Sequence, residues 1–287
     1  MNVQTQISTR RIVHKTLGRG HGPITRLMSP GDLGEHLKPF VFLDLFGAEA
    51  SFIGTMPLHP HSGIATITVI TEGDLHFDDP DSGQGYIGYG GVEWMRAGGG
   101  VWHGKEMSAG RSERIKGFQL WIALPAALEN AAVDSQYIEA KDIPGVGPAR
   151  VIVGNYDGVQ SPVRAPDGLN YLLVTLKAGE RWSYTPPAGH EIAWLSLSHG
   201  NLNGVRTGEM AVFEPGNGRI DLQATDEGDA TFVLGSAVPH PHDLVTGYYS
   251  VHTSQEALEQ GEANIERLRA RLTVDPNAKA TVPVFKG

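Results

Sequence analysis

The chain contains no cysteine, and that absence removes disulfides, thiolate metal sites and cysteine nucleophiles together. Any metal it holds must sit on histidine and carboxylate. It also lacks any run approaching the roughly 18 uninterrupted apolar residues of a membrane-spanning helix, so no membrane is expected among its partners. The opening segment Met1-Asn-Val-Gln-Thr-Gln-Ile-Ser-Thr-Arg-Arg-Ile-Val-His-Lys15 has no apolar stretch after its positive charges and does not read as a secretory signal, which makes the cytoplasm the expected location. Positive charge is in short supply. Lys and Arg number 23 against 32 Asp and Glu, a formal charge of −9, and such a field repels nucleic acid. The one basic concentration, Arg267-Leu-Arg-Ala-Arg271, lies near Glu259, Glu262 and Glu266 and reads as a solvated helix face, so no direct nucleic acid binding is expected. Gly-x-Ser-x-Gly, a phosphate loop and a dinucleotide fingerprint are all missing, which sets aside the hydrolase and nucleotide chemistries they carry.

What is present is strand. Short β-branched and aromatic runs recur, among them Ala65–Ile70, Phe118–Ile122, Val151–Val153, Tyr171–Thr175 and Ile192–Ser196, and none has a helical period. With 37 Gly and 18 Pro marking turns, the pattern is all-β, of sandwich or barrel type. Asp78-Asp-Pro-Asp-Ser-Gly-Gln-Gly85 is a dense turn signal, predicting a hairpin there with Asp78 and Asp79 solvated. Around Pro125 to Gln136, Ala and Leu allow a short helix, and the Gly/Pro-rich Ile143–Pro148 follows. The predicted division is 1–135 as a metal-binding barrel, 136–253 as a second barrel, and 254–287 as a helix and tail. The two halves look like weak versions of one plan: Gly179–Ser198 and Gly208–Gly216 stand where barrel strands would, but the second copy has no His-x-His. From Ser254 to Leu272 the pattern turns helical, with Ser254 as cap and Leu258, Ile265, Leu268 and Leu272 on one face.

One constellation carries chemistry. In His59-Pro-His61 the histidines are two residues apart beside a strand, so in extended chain both rings point to the same face. His103 comes 42 residues after His61, following the turn Gly98-Gly-Gly100, as if a hairpin closed back over the first strand. Three imidazoles in a dry barrel suit iron, manganese, nickel, copper or zinc, and lack the charge to favour magnesium or calcium. A second His-Pro-His, His240 to His242, has no third histidine after a glycine turn. His252 is its only candidate partner, so His240 and His242 read as structural. The scattered His14, His21, His36, His76, His190 and His199 receive no role.

Several ordered segments resemble the pirin family of the cupin superfamily: Phe40–Gly47, His59-Pro-His-Ser-Gly63, Gly91-Val-Glu-Trp-Met-Arg-Ala-Gly98 through His103, Gly117–Pro125 and Gly247–Thr253. The resemblance implies two cupin (jelly-roll) β-barrels packed together, with a short C-terminal helix, and a mononuclear metal in the N-terminal barrel alone. It implies ferrous iron (Fe2+), with Mn2+, Ni2+, Cu2+ or Zn2+ as alternatives, on His59, His61 and His103 plus an acid two residues beyond the third histidine. That position is Lys105 here, and the nearest acid is Glu106. In a regular strand Glu106 would face away, so it is a ligand only if a bulge at Gly104 flips the register. Two further departures are Ala65 in place of the family's Glu and Ser62 in place of its Arg, which make the pocket wall more neutral.

The implied activity is a metal-dependent dioxygenase like quercetin 2,3-dioxygenase, taking a small aromatic substrate and O2, with Glu106 as both ligand and proton acceptor. The rival reading is a non-enzymatic, metal-sensing regulator with a protein partner, which a closed pocket lacking a fourth ligand would favour. A third is a metal-free cupin used as a binding scaffold.

Overall fold

The β-branched runs fold as the period-two reading predicts. In the computed structural model, which describes residues 9–79, 82–274 and 284–285, they lie in the strands Ile64–Glu72, Arg114–Ala123, Ala149–Val153, Leu169–Leu176 and Ile192–His199. The described chain divides into two units. One comprises Arg19–Ile143 and the chain from His240 onward; the other comprises Pro144–Pro239 and the described residues up to Gly18.

The His-bearing unit is built on a seven-stranded sheet that runs Asp134–Ile138, Val92–Arg96, Ile64–Glu72, Arg114–Ala123, Phe40–Glu49, Ile24–Met28, Arg19–His21. The other unit has a seven-stranded sheet of its own, in the order Ile12–Thr16, Met210–Phe213, Ile192–His199, Ala230–Ala237, Leu169–Leu176, Ala149–Val153, Gly145–Val146. Its interior is apolar, filled by residues such as Val151, Leu172, Leu195, Phe213, Phe232 and Leu234. The all-β expectation therefore holds for both halves. Among the described residues no helix is long and apolar enough to cross a membrane.

Three boundaries differ from those expected at 1–135, 136–253 and 254–287, each for a physical reason. Ile12–Thr16 pairs with Met210–Phe213, so the start of the described chain belongs to the second sheet. Asp134–Ile138 pairs with Val92–Arg96 from Asp134 opposite Arg96 to Ile138 opposite Val92, which carries the first unit past residue 135. The helix expected within Pro125–Gln136 does not form: residues 126–130 make turns, and Ala131 gives its carbonyl to the Gly99 N–H rather than to a continuing helix. Finally, the chain returns to the first unit from His240 rather than at 254.

The helix Gln255–Val274 begins where Ser254 Oγ accepts the Ala257 N–H at 3.2 Å, and it buries Leu258, Ile265, Leu268 and Leu272 as its spacing predicted. Trp102 Nε1 donates to its Ile265 carbonyl at 3.0 Å, and Asn264 Nδ2 donates to Gly99 O at 2.6 Å. That fixes the helix beside the strand carrying His103. The segment read as a tail holds a further strand, Val284–Phe285, on the outer edge of Val101–His103; residues 275–283, 286 and 287 lie outside the described set. The hairpin at Asp78–Gly85 forms between Asp74–Asp79 and Gly83–Gly88, its tip Pro80-Asp81 also lying outside the described residues.

The interior of the His-bearing unit has two apolar layers. One holds Phe42, Ile64, Met95, Val101 and Trp121; the other holds Ile70, Leu75, Phe77, Ile87 and Ile115. Strand alternation explains what lies between them. Asp44 is two residues from Phe42, Thr66 and Thr68 separate Ile64 from Ile70, Glu93 is two from Met95, and Gln119 is two from Trp121. Each therefore shares a face with its apolar neighbour and contributes to a polar belt at mid-height.

Candidate metal centre

The histidines are assembled by one short antiparallel ladder. His59–His61 pairs with Val101–His103, placing His59 opposite His103 and His61 opposite Val101. The i, i+2 relation of the first two and the cross-strand relation of the third put all three rings on one face. Their ring centroids are 4.9 Å (His59–His61), 4.4 Å (His59–His103) and 5.0 Å (His61–His103) apart, and one nitrogen from each lies within 4.8 Å of the others.

Each ring is held from behind. His59 Nδ1 lies 2.9 Å from the Pro57 carbonyl, His61 Nδ1 3.1 Å from the Tyr249 carbonyl, and His103 Nδ1 2.6 Å from Glu106 Oε1. Carbonyl and carboxylate oxygens only accept, so each Nδ1 donates and each Nε2 is left with a lone pair. The Nε2 atoms of His61 and His103 are buried and without a hydrogen-bond partner. A buried unmatched acceptor costs about 1–3 kcal/mol, and two side by side are what a transition-metal ion would satisfy. The residues present fit such an ion.

Gly104 ends the strand with φ +122°, and a Cβ there would lie 2.7 Å from the Pro57 carbonyl, so only glycine makes this turn freely. The turn brings Glu106 inward, as the register argument required, to a position 2% exposed. Its carboxylate goes elsewhere than the ion site: Oε1 takes the His103 Nδ1 proton and Oε2 accepts the Gly104 N–H at 2.7 Å. Among the described residues the group that could hold an ion contains His59, His61 and His103, without Glu106.

Burial, with the charge of His103 second, lowers His59 to about 4 and holds His61 well below the ordinary imidazole value. Burial also presses on His103, but the adjacent Glu106 carboxylate more than offsets it and raises this imidazole. Glu106 is correspondingly lowered, its burial outweighed by His103. Two imidazoles are thus neutral at pH 7, ready to act as ligands, and the third is tied to a carboxylate.

A cavity reaches His59, His103 and Glu106. Its walls are apolar, with Phe46, Phe52, Ile53, Met56, Leu75 and Met107, and three members of the polar belt, Asp44, Thr68 and Gln119, face it. The belt is continuous in register: Asp44 opposite Gln119, Gln119 opposite Thr68, Thr68 opposite Glu93. Asp44 forms a two-pronged pair with Arg26, and the Arg26 guanidinium lies 3.9 Å over the Phe42 ring. Glu93 is 1% exposed and accepts from Thr68 Oγ1 at 2.8 Å and Thr66 Oγ1 at 3.4 Å; burial raises its carboxyl to about 7. The sequence reading assigned these belt residues no role. The available signal was polar side chains interrupting the i, i+2 apolar series of four strands.

Residues read as structural stay away from the centre. His240 Nε2 donates to the Leu124 carbonyl at 3.3 Å, and His242 N–H donates to His240 Nδ1 at 3.3 Å. Asp79, expected to be solvated, is 1% exposed and accepts from Ser135 Oγ at 2.9 Å and the Ser82 N–H at 2.7 Å, because its alternation on the hairpin turns it inward. Ala65 is buried, and Ser62 is engaged with Ser250 and His252 rather than lining the cavity.

Known proteins resemble this chain in sequence and in fold. The family model described as Pirin matches residues 23–122. The chain is 30% identical over 265 residues to a Pseudomonas aeruginosa protein provisionally named quercetin 2,3-dioxygenase, covering 86% of this chain and 91% of that one. A crystal structure of quercetin 2,3-dioxygenase from Acinetobacter baumannii matches with a TM-score of 0.75 at 23% identity, over 91% of this chain and 98% of that one. The crystal structure of the bacterial pirin YhhW from Escherichia coli in complex with nickel(II) matches with a TM-score of 0.59 at 18% identity, over 77% of this chain and 94% of that one. At these identities the two structures speak for the fold.

Proposed function

The chain belongs to the pirin family, and from that premise we propose that it is a bicupin, metal-dependent dioxygenase of the quercetinase type, acting on a flavonol or similar aromatic enol and O2. The observation that carries this reading is the trio His59, His61 and His103, each with Nδ1 tied to an oxygen and with the Nε2 atoms of His61 and His103 buried and unpartnered. Ferrous iron is the proposed ion, with nickel, manganese, copper or zinc admitted by the same ligand chemistry. Bound there, it would supply Lewis-acid chemistry to the substrate.

The chain's own groups do the rest. His59, His61 and His103 hold the ion, and Glu106 fixes the ring of His103 from behind. Phe46, Phe52, Ile53 and Met56 offer flat apolar contact for an aromatic ring system and exclude water from it. The Gln119 carboxamide stands on the cavity wall and orients a substrate hydroxyl, while the neighbouring Thr68 hydroxyl is held by Glu93. Glu106 is a residue of the cavity lining, but both its carboxylate oxygens are engaged, with His103 Nδ1 and the Gly104 N–H, so it acts on the substrate through His103 and not as the proton acceptor the sequence suggested. A regulator that works through a protein partner would be favoured by a closed pocket together with a missing fourth ligand; Glu106 does not join the three histidines, but the cavity beside His59 and His103 favours the enzyme.

The test is metal content by mass spectrometry, followed by oxygen uptake with quercetin for the wild type and His61→Ala. One metal per chain and uptake abolished in the variant are expected. Bound metal without uptake, or uptake unchanged by the substitution, defeats the reading.

A further inference from the structure

Behind His61 lies a chain of buried polar groups that ion binding does not itself require. Ser62 Oγ is 2.9 Å from Ser250 Oγ and 2.9 Å from His252 Nε2; His252 Nδ1 is 3.2 Å from Glu129 Oε2. Glu129 in turn accepts the Thr253 N–H at 2.7 Å and the Thr253 hydroxyl at 2.6 Å. Ser62, Ser250, His252 and Glu129 are all buried.

The order serine, histidine, acid has the connectivity of a hydrolase relay, but the packing forbids that use. A Cβ on Gly261 would lie 2.6 Å from Ser62 Oγ and 2.7 Å from His252 Nε2, and one on Gly63 would lie 2.7 Å from the His252 ring. No acyl group can reach this hydroxyl.

What the chain does hold is the two ends of a single hydrogen bond. The residue before Ser62 is His61, and the residue before Ser250 is Tyr249, whose carbonyl accepts the His61 Nδ1 proton. Tyr249 has φ +58°, a left-handed conformation that a tyrosine keeps only where its surroundings enforce it. Ser62 and Ser250 are joined as a parallel bridge, and the Val251 N–H donates to Ser62 O at 3.3 Å. Glu129 accepts the Nδ1 proton of His252, and Ser62 Oγ, which donates to Ser250 Oγ, lies against His252 Nε2.

We propose that Ser62, Ser250, His252 and Glu129 form a positioning clamp that holds the Tyr249 carbonyl against His61 Nδ1, fixing the tautomer and ring orientation in which His61 presents Nε2 to the metal. The clamp rests on the reading of His61 as a ligand. Orienting groups of this kind change metal affinity by about 10- to 100-fold when removed.

The test titrates cobalt(II) into the metal-free full-length chain and reads its visible absorption. Ser62→Ala and Glu129→Gln should each weaken cobalt binding about tenfold and shift the visible bands, while the metal-free variants still unfold cooperatively. A wild type that binds cobalt, with both variants matching it in affinity and bands, overturns the clamp and leaves the metal reading standing. A wild type that binds no cobalt overturns the metal reading and the clamp with it. Should the variants fail to fold, imidazole 1H–15N correlations on the wild-type chain decide. His61 and His252 both carrying a proton on Nδ1 support the clamp, and either one without its Nδ1 proton overturns it.

Discussion

His103 Nδ1 and Glu106 Oε1 stand 2.6 Å apart with both side chains buried, so the carboxylate occupies the back of the imidazole and leaves its front nitrogen free. Glu106→Gln keeps an acceptor oxygen but removes the charge that raises His103. Two effects follow. At a pH alkaline enough that protons no longer compete for His103, metal affinity falls about tenfold because the ligand is less basic. The pH at which binding is half lost moves to a lower value, because His103 no longer holds its proton so tightly. Competition with a chelator from pH 5 up to that alkaline pH reads both, and an unshifted midpoint would count against the pair.

The same electrostatics set a proton count. His59 titrates at about 4 and His61 well below its ordinary value, so in the metal-free protein at pH 6 both are already neutral. Only His103, raised by Glu106, carries a proton for the ion to displace. Metal binding at pH 6 should release about one proton, whereas three unperturbed imidazoles would release about two. Calorimetry in buffers of different ionisation enthalpy gives the number directly.

The pair His59 and His61 was legible because its arrangement is local: an i, i+2 pair in extended chain must share a face. His103 joins them through a long-range pairing across four intervening strands, not through the hairpin its glycine turn suggested. The C-terminal helix, local like the pair, was legible from its 3.6-residue period, which places Leu258, Ile265, Leu268 and Leu272 together. The path of Glu106 was not, since it depends on the φ of one glycine and on which nitrogen of His103 its carboxylate meets. Nor was the polar belt. Asp44, Gln119, Thr68 and Glu93 come from four strands, and their alignment exists only once the register of three non-local pairings is set. The helix expected in Pro125–Gln136 gives way to turns over 126–130 and, for a similar non-local reason, to a strand from Asp134 that pairs with Val92–Arg96.

Glu93 makes a stability prediction whose sign is fixed by its direction of shift. Burial raises its carboxyl from 4.5 to about 7, so between those values the folded chain keeps a proton that the unfolded chain has lost. The folded state therefore loses stability as pH rises through that window. The full loss is roughly 3 kcal/mol, about 2.5 pH units at about 1.36 kcal/mol each. Glu93→Gln, which still offers Thr68 an acceptor, should leave the metal-free protein unchanged near pH 4.5 and stabilise it by about 2–3 kcal/mol at pH 8. Denaturant unfolding at the two pH values checks it, and equal stability changes at both would remove the buried charge as the cause.

Gln119 tests the cavity without touching the metal. Its side chain stands on the cavity wall between Asp44 and Thr68, its neighbours in register. Asp44 is already committed to Arg26, and the Thr68 hydroxyl to Glu93. Gln119 is therefore the belt member whose polar group can turn to a bound ligand without breaking an ion pair. A substrate hydroxyl meeting this carboxamide gains a hydrogen bond worth about 0.5–1.5 kcal/mol, at most about a tenfold effect. Gln119→Leu should raise KM for a polyhydroxylated flavonol several-fold, change KM for an analogue lacking the matching hydroxyl far less, and leave metal content intact. The Glu106 variant, by contrast, should lose metal before it loses selectivity. If Gln119→Leu lowered metal content, or raised KM equally for both substrates, the belt would be structural and the polar recognition of substrate would have to come from elsewhere in the cavity.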